Sequence, residues 1–435
     1  MIDLALLRTP EGIELVKASE IRRGNKTDRV DAVASLIEKR TKVRYELDQL
    51  NKQLNALTRE GAKYFKSKEV MEGKEELLKR ISKTKEEQAA CASKLSALEA
   101  ETNSLSGGIG NLLDSNVVTS DNEDKNPVIF LQDLKRKEFS PVVFLPFDKV
   151  LERLGATDTE RGAKISGHRG YFLKDSGLIL AQSLIRYGMD FLRKREYCLI
   201  QTPYMMNKEV MKKTAQLSDF DDQLYKIEGA NEAYLIATSE QPISALHSDE
   251  WLRDAELPIK YGGYSTCFRK EAGAHGKDNR GIFRVHQFEK IEQFIITAPE
   301  ESPSEFLAMV ERSKDFYDSL ELGFRVVSIV SGALNDAAAI KYDLEAFFPA
   351  TQRYRELVSC SNCTDYQSRD LNIRFGFVDG NESSKKYVHM LNGTLCAVQR
   401  TLCCLLENYQ TEGGVMVPSV LVPYVGEDFL PYINV

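Results

Sequence analysis

Apolar residues in the first part of the chain fall at Val33, Leu36, Val43, Leu47, Leu50, Leu54 and Leu57, in alternating steps of three and four, with Arg40 as the one polar interruption. This spacing is a heptad seam. It returns at Leu77, Ile81, Thr84, Gln88, Cys91, Leu95, Leu98, Thr102 and Leu105, with polar members near its middle. The polar stretch from Gly61 to Gly73 lies between the runs, and its glycines suit a reversal. An antiparallel hairpin burying both seams is expected, an arm over residues 28–105 that projects about 50 Å. A dimerisation coiled coil or a packed bundle would use the same spacing, so periodicity alone does not choose among them.

From Ser106 to Pro127 the chain turns to Gly, Ser, Asn and Asp, which breaks the helical period and reads as a linker. A boundary near residue 120 follows, dividing the chain into 1–120 and 121–435. Beyond it, the helical spacing of Leu180, Leu184, Tyr187 and Phe191 alternates with short β-rich runs at Tyr234 to Thr238, Ile291 to Thr297 and Phe324 to Val330. This order fits an α+β domain, a mixed sheet with helices packed on it, better than a regular βαβ array.

A chain of 435 residues with 42% apolar composition is long enough for one large core or two unequal domains. Its eight cysteines are scattered, without the dense framework of a small secreted protein, and read as reduced thiols. No apolar run approaches the roughly 18 residues of a membrane span, and the N-terminus is no secretory signal, so a cytoplasmic location is expected. The formal charge of −7 is uneven: Ile21 to Lys94 holds 19 Lys/Arg against 12 Asp/Glu, a net of +7, leaving −14 for the rest. Any phosphate-backbone partner therefore belongs in part to the arm.

The chain has no G-x-G-x-x-G, and Gly273-Ala-His-Gly276-Lys277-Asp278 lacks the spacing and the Ser/Thr of a phosphate loop. A nucleophile elbow and a His-Glu-x-x-His helix are also missing. The densest constellation is Cys267-Phe268-Arg269-Lys270-Glu271-Ala-Gly273, a charged loop to Arg284, then Val285-His286-Gln287-Phe288-Glu289-Lys290-Ile291-Glu292. It reads as two strands joined by a long loop. Any single Arg or Glu in it could be a strand-end ion pair, but the whole pattern resembles motif 2 of the class II aminoacyl-tRNA synthetases, in the form of the seryl-tRNA synthetases.

Further blocks agree in order along the chain. Met1-Ile-Asp-Leu through Gly24 resembles the family's start, and the hairpin its tRNA-binding arm. Gly167-His-Arg-Gly-Tyr-Phe-Leu173 matches the beginning of its catalytic domain. Motif 1 is recognisable in the helix ending Phe191-Leu-Arg and the strand reaching Gln201-Thr202-Pro203, whose proline lies at the family's dimer interface. Thr238-Ser239-Glu240 matches the serine-pocket triplet, Arg355-Glu356-Leu-Val-Ser359 an ATP-site strand, and Leu391-Asn392-Gly393-Thr394 through Arg400 motif 3.

The resemblance implies a class II fold on a mixed, mostly antiparallel sheet, and a homodimer that activates L-serine with ATP and charges tRNA(Ser), with tRNA(Sec) as a second substrate. Activation is an in-line attack by a carboxylate on the α-phosphate, so the protein must hold two anions together rather than supply a nucleophile. Arg269 would clamp the α-phosphate and the serine carboxylate with its permanently charged planar fork. By the same resemblance Glu271 would face the adenine amino group, Phe288 and Arg400 would sandwich its ring, and Arg284 would reach the terminal phosphates. Lys270, Val285, His286, Gln287, Leu357 and Val358 complete the expected ATP site. Glu356 and Ser359 offer hard oxygens to Mg²⁺ on the phosphates.

For serine, Glu240 with Thr238 would receive the ammonium, beside Ser239 and Arg269, while Glu292, Asn392 and Thr394 would bond the hydroxyl. Alanine would leave such groups unpaired at a cost of about 1–3 kcal/mol each. No general base is assigned. Cys360-x-x-Cys363 has no second pair at metal-ligand spacing, and no structural zinc is expected. Two rivals remain: a paralogue that activates serine without charging tRNA, which in such relatives accompanies loss of the arm, and a coiled-coil scaffold, which leaves two-thirds of the chain unexplained.

Overall fold

The computed structural model describes residues 1–64, 72–133, 143–214, 223–229, 232–271, 280–376 and 386–433. The residues divide into two compact units, Met1–Leu112 and Leu113–Val435.

In the first unit, α1 (Pro10–Arg23) starts where the Thr9 hydroxyl accepts the Gly12 N–H at 3.1 Å, with proline at its first position, where no backbone donor is needed. Two long helices follow, α2 (Asp28–Tyr64) and α3 (Glu72–Ser106). The heptad positions are buried or half-buried along both, Val33, Leu36, Val43 and Leu57 facing Leu77, Thr84, Leu95 and Thr102. Cross-links show that the pair is antiparallel: Cys91 Sγ lies 3.5 Å from the Val43 carbonyl, and Gln88 Nε2 donates to Asn51 Oδ1 at 2.6 Å. Part of the expected turn, residues 65–71, lies outside the described residues. At the base, Ile2, Leu7, Val16, Val30, Val33, Ile37 and Ile109 form a small core of their own.

The division falls at Leu112, ahead of the boundary expected near residue 120. Beyond it the polar stretch belongs to the second unit and is hydrogen-bonded within it: Asp114 N donates to Ala339 O at 3.0 Å and Ser331 N to Val118 O at 2.9 Å. A segment rich in Asn, Asp and Ser satisfies its backbone this way without forming a strand.

The second unit is built on an eight-stranded sheet. In chain order its strands are β1 (Val128–Gln132), β2 (Cys198–Gln201), β3 (Ile259–Phe268), β4 (Gln287–Thr297), β5 (Phe324–Ser328), β6 (Ile340–Phe348), β7 (Arg353–Asn362) and β8 (His389–Ala397). Their spatial order is β1-β5-β6-β7-β8-β4-β3-β2, antiparallel except for β2 beside β3. One face carries α4 (Asp175–Arg193), α5 (Ser302–Ser319) and α6 (Val398–Tyr409).

Alternation along the strands divides the residues between the faces. On β4, Ile291 and Ile295 join the main core under the helices, and Gln293 bonds α5 through the Met309 carbonyl at 3.3 Å and Ser313 Oγ at 2.9 Å. The intervening Phe294 and Ile296 join a second core on the other face, with Ile243, Leu371, Ile373 and Met390. Helix α4 approaches the sheet at Gly188, where a Cβ would stand 2.5 Å from Ile291 Cδ1. A side chain there would have to displace the Ile291 methyl end from the core.

Candidate active site

The face opposite α4, α5 and α6 continues beyond the second core as a polar floor. Residues at alternate positions point the same way: Lys341 and Asp343 on β6, Ser359 and Ser361 on β7, Asn392 and Thr394 on β8, Lys290 and Glu292 on β4. Register sets them side by side, pairing Asp343 with Ser359, Lys341 with Ser361, Ser361 with Asn392 and Glu292 with Thr394. Two bulges shape the floor. The register shifts between Ile291 and Glu292 on β4, and between Leu344 and Glu345 opposite Val358 and Glu356. The first puts Leu395 and Cys396 consecutively into the apolar core, so Thr394 and Ala397 both face the cavity. That cavity, about 310 Å³, is lined by Thr238, Glu240, Arg269, Glu271, Phe283, Arg284, Val285, Phe288, Lys290, Glu292, Lys341, Glu356, Leu357, Ser359, Asn392, Thr394 and Arg400, among others.

Cations and aromatic rings gather at one end. Arg269 follows β3 directly; its backbone N–H donates to the His286 carbonyl at 2.9 Å, and His286 Nδ1 lies 3.0 Å from the Arg269 carbonyl. The histidine thus ties the two strands together. The Arg269 guanidinium stands 5.2 Å from the Phe288 ring centre, and its Nε donates to the Ala237 carbonyl at 3.3 Å. Glu271 sits at a left-handed φ of 51°, and its carboxylate pairs with Arg284 at 2.8 Å. Arg400 lies 5.0 Å from the Phe283 ring centre, with Nη1 3.4 Å from the Glu356 carboxylate. Enclosure by protein pushes the Glu356 carboxyl up, but Arg400, Lys341 and Arg269 outweigh it and hold the group below the usual carboxylate range. Asp343, nearly buried, has its Lys341 partner at 3.6 Å; burial pushes its carboxyl up to about 7.

The other end is small and acidic. Thr238 donates to Glu292 Oε1 at 3.0 Å, and Lys290 pairs with the same carboxylate. Glu240 accepts from Gln367 at 3.3 Å; burial, then the charge of Glu292, push its carboxyl up to about 7. Asn392 Nδ2 reaches Cys363 Sγ at 3.4 Å. The Thr238–Glu240 segment presses on β3 at Gly263, where a Cβ would meet Ser239 Oγ at 2.8 Å and Ile243 Cδ1 at 2.4 Å.

Five residues named from the sequence fall outside the cavity lining. Ser239 and Val358 are buried, His286 and Gln287 line a separate cavity behind the strand pair, and the Lys270 N–H donates to the Gln223 carbonyl at 2.9 Å. Alternation explains Gln287 and Val358, each one residue from a cavity-facing neighbour. The charged loop Gly273–Asp278 lies outside the described residues. Sequence reasoning gave no role to Lys290, Phe283, Lys341 or Asp343. The signal was present in Lys341-x-Asp343 and Lys290-x-Glu292, opposite charges at strand spacing inside apolar runs. Cys360 is buried against α5, its thiol pushed up to about 12 by burial, while Cys363 faces Asn392.

A polar floor on a mostly antiparallel sheet sets this site apart from nucleotide folds built on parallel sheets, and the sequence comparison gives the class, that of the class II aminoacyl-tRNA synthetases. Residues 225–409 match the family model for the tRNA synthetase class II core domain (G, H, P, S and T), and residues 1–113 match that for the seryl-tRNA synthetase N-terminal domain. The chain is 49% identical over 438 residues to the cytoplasmic serine–tRNA ligase of Schizosaccharomyces pombe, covering 99% of this chain and 97% of that one. Among solved structures it resembles the Naegleria fowleri cytoplasmic serine–tRNA ligase in complex with AMP (TM-score 0.87, 43% identity, 99% of both chains). It also resembles the Pyrococcus horikoshii seryl-tRNA synthetase complexed with ATP (TM-score 0.90, 34% identity, 100% of both). The chain belongs to the seryl-tRNA synthetase family. Its activity is that of a serine–tRNA ligase, an ATP-dependent aminoacyl-tRNA ligase.

Proposed function

We propose that the cavity divides this reaction between its two ends. ATP lies toward Phe283, Phe288 and Arg400, and serine between Thr238, Glu240, Glu292, Asn392 and Thr394. Arg269, which faces both ends, clamps the serine carboxylate beside the α-phosphate. A carboxylate oxygen bonds to the α-phosphorus, the bond to the β-phosphate breaks, and diphosphate leaves. The 3′-terminal ribose hydroxyl of the tRNA then takes the acyl group, releasing AMP. The observation that carries this reading is a single cavity holding Arg269, Glu292, Glu356 and Arg400 together. Glu271 and Arg284, paired with each other, would turn to adenine and the terminal phosphates when ATP enters.

Glu356 and Ser359 suit Mg²⁺ bridging phosphates: one half-open carboxylate and one hydroxyl leave most positions to phosphate and water. When bound, the ion would neutralise charge on the phosphates. The arm, net basic from Ile21 to Lys94, is the proposed holder of tRNA(Ser), with tRNA(Sec) as a further substrate. A homodimer is proposed through α4 and the Pro203 region, since β2 is a sheet-edge strand with Leu199 exposed. A cytoplasmic location is supported by the relative's name; among the described residues, no helix is long and apolar enough to cross a membrane.

The test is serine-dependent exchange of pyrophosphate into ATP, then charging of tRNA(Ser), by the full chain and by a form lacking residues 31–105. Exchange should survive the deletion within about threefold while charging falls by more than about a hundredfold, the loss expected when many phosphate contacts go at once. Undiminished charging would remove the arm from the reading.

A further inference from the structure

We infer that Lys290 sets the specificity of the serine pocket: its ammonium fixes the Glu292 carboxylate through Oε1 and leaves Oε2 as an acceptor that only a hydroxyl-bearing substrate satisfies. The inference rests on the reading that this end of the cavity takes serine. Lys290 and Glu292 stand two residues apart on β4, both facing the cavity, with side chains only 8% and 3% exposed. Glu292 Oε1 already has two donors, Lys290 and the Thr238 hydroxyl. Oε2 is buried and has no hydrogen-bond partner among the described residues. A buried carboxylate oxygen without a donor is costly, and a hydroxyl-bearing ligand in this cavity supplies that donor.

The ammonium is needed because the pocket is crowded with acid. Glu240 lines the same cavity, and the charge of Glu292 disfavours its ionised form. With Lys290 removed, two carboxylates would share the Arg269 guanidinium, which stands near the Phe288 ring and also faces the ATP end of the cavity. Glu292 would turn toward that cation, which removes Oε2 as a fixed acceptor. Lys290 makes no bond to the reacting atoms. It is a positioning residue, and the positioned atom reads the substrate side chain.

The test compares pyrophosphate exchange driven by serine and by alanine in wild type, Lys290→Met, Glu292→Gln and the double variant, with KM for ATP and a thermal melt for each. Methionine keeps the length and apolar stem of lysine without its charge. Lys290→Met is expected to raise the serine KM on the order of tenfold to a hundredfold and to change alanine kcat/KM less than about threefold, so discrimination falls. ATP KM should stay within about twofold. On the Glu292→Gln background, Lys290→Met should change the serine KM by less than about threefold, because the neutral amide needs no counter-ion. Equal losses for both amino acids, an unchanged serine KM in folded Lys290→Met, or a full-sized effect on the Glu292→Gln background would each overturn the inference. If Lys290→Met does not fold, the comparison of Glu292→Gln with the double variant decides. A wild type that fails to exchange with serine would instead sink the serine reading.

Discussion

The arm and the catalytic sheet both bury polar side chains, but they satisfy them differently. In the arm, Gln88 donates to Asn51 across the seam, and Thr102 turns its hydroxyl back onto the Leu98 carbonyl at 2.6 Å. Each of these groups meets a partner within the hairpin. On the sheet floor, Glu292 Oε2 and Asp343 Oδ1 have no hydrogen-bond partner among the described residues. Partnered polar groups hold a register, whereas unpartnered ones beside a cavity mark where a ligand can complete the structure.

The sharpest way to break the comparison is Arg269→Ala. The guanidinium is half-buried and touches the rest of the protein chiefly through the Ala237 carbonyl and the Phe288 ring, so the fold should survive its loss. Serine-dependent pyrophosphate exchange should fall by about a thousandfold or more, the scale for removing a charged group aimed at the transition state. Exchange at wild-type levels would mean that the floor binds something other than the reacting phosphate.

The arm's counterpart is Leu57→Ala. Leu57 is 3% exposed in the seam, and truncation should cost the arm about 2–5 kcal/mol. Hydrogen exchange should accelerate along both helices, while pyrophosphate exchange stays at the wild-type rate. A matching drop in activation would show that the arm's packing is felt at the catalytic sheet.

This difference also explains what could be read in advance. The arm's seam is local: steps of three and four residues identify the face, and the buried positions from Val33 to Leu57 follow directly. The strand pair of motif 2, the α+β architecture and most cavity residues were equally legible, because the resemblance fixed their types and order. The floor is not local. Lys341 and Asp343 meet Ser359 and Ser361 only through pairing of β6 with β7, and Thr394 faces the cavity beside Ala397 only because a bulge absorbs one residue. No window of sequence contains those registers. Gln287 and Val358, named with their cavity-lining neighbours, turn their side chains away from the cavity for the same reason, since strand neighbours point to opposite faces.

A smaller effect follows from Glu240. Burial and Glu292 push its carboxyl up to about 7, opposed by Lys290, the Gln367 amide and Arg269. If the carboxylate receives the serine ammonium, only its ionised form binds. Between pH 8 and pH 6 that fraction drops from about nine-tenths to about one-tenth, so the serine KM should rise about tenfold while the ATP KM changes little. The stability effect has the opposite sense. A carboxyl raised in the folded state binds more protons there than in the unfolded chain, so this group favours folding more as pH falls from about 7 toward its ordinary 4.5. A serine KM flat across this range would remove Glu240 from ammonium recognition.

The smallest effect asks whether the arm's polar pair is structural in the sense drawn above. Gln88→Leu alone leaves the Asn51 amide facing an apolar neighbour and should cost about 1 kcal/mol, the usual penalty for one lost partner in a half-buried site. Replacing Asn51 and Gln88 together with leucine removes both needs at once, and the arm should return to wild-type stability or exceed it. Register is then the quantity to watch. The pair fixes one alignment of α2 against α3, so the double variant should keep its thermal stability while a cross-link between cysteines placed at Arg44 and Glu99, a salt-bridged pair at 2.7 Å, forms less selectively against cysteines one turn away. Unchanged selectivity in a stable double variant would show that the apolar seam alone sets the alignment, and that a satisfied polar pair in the arm is as dispensable as an unsatisfied one on the sheet is not.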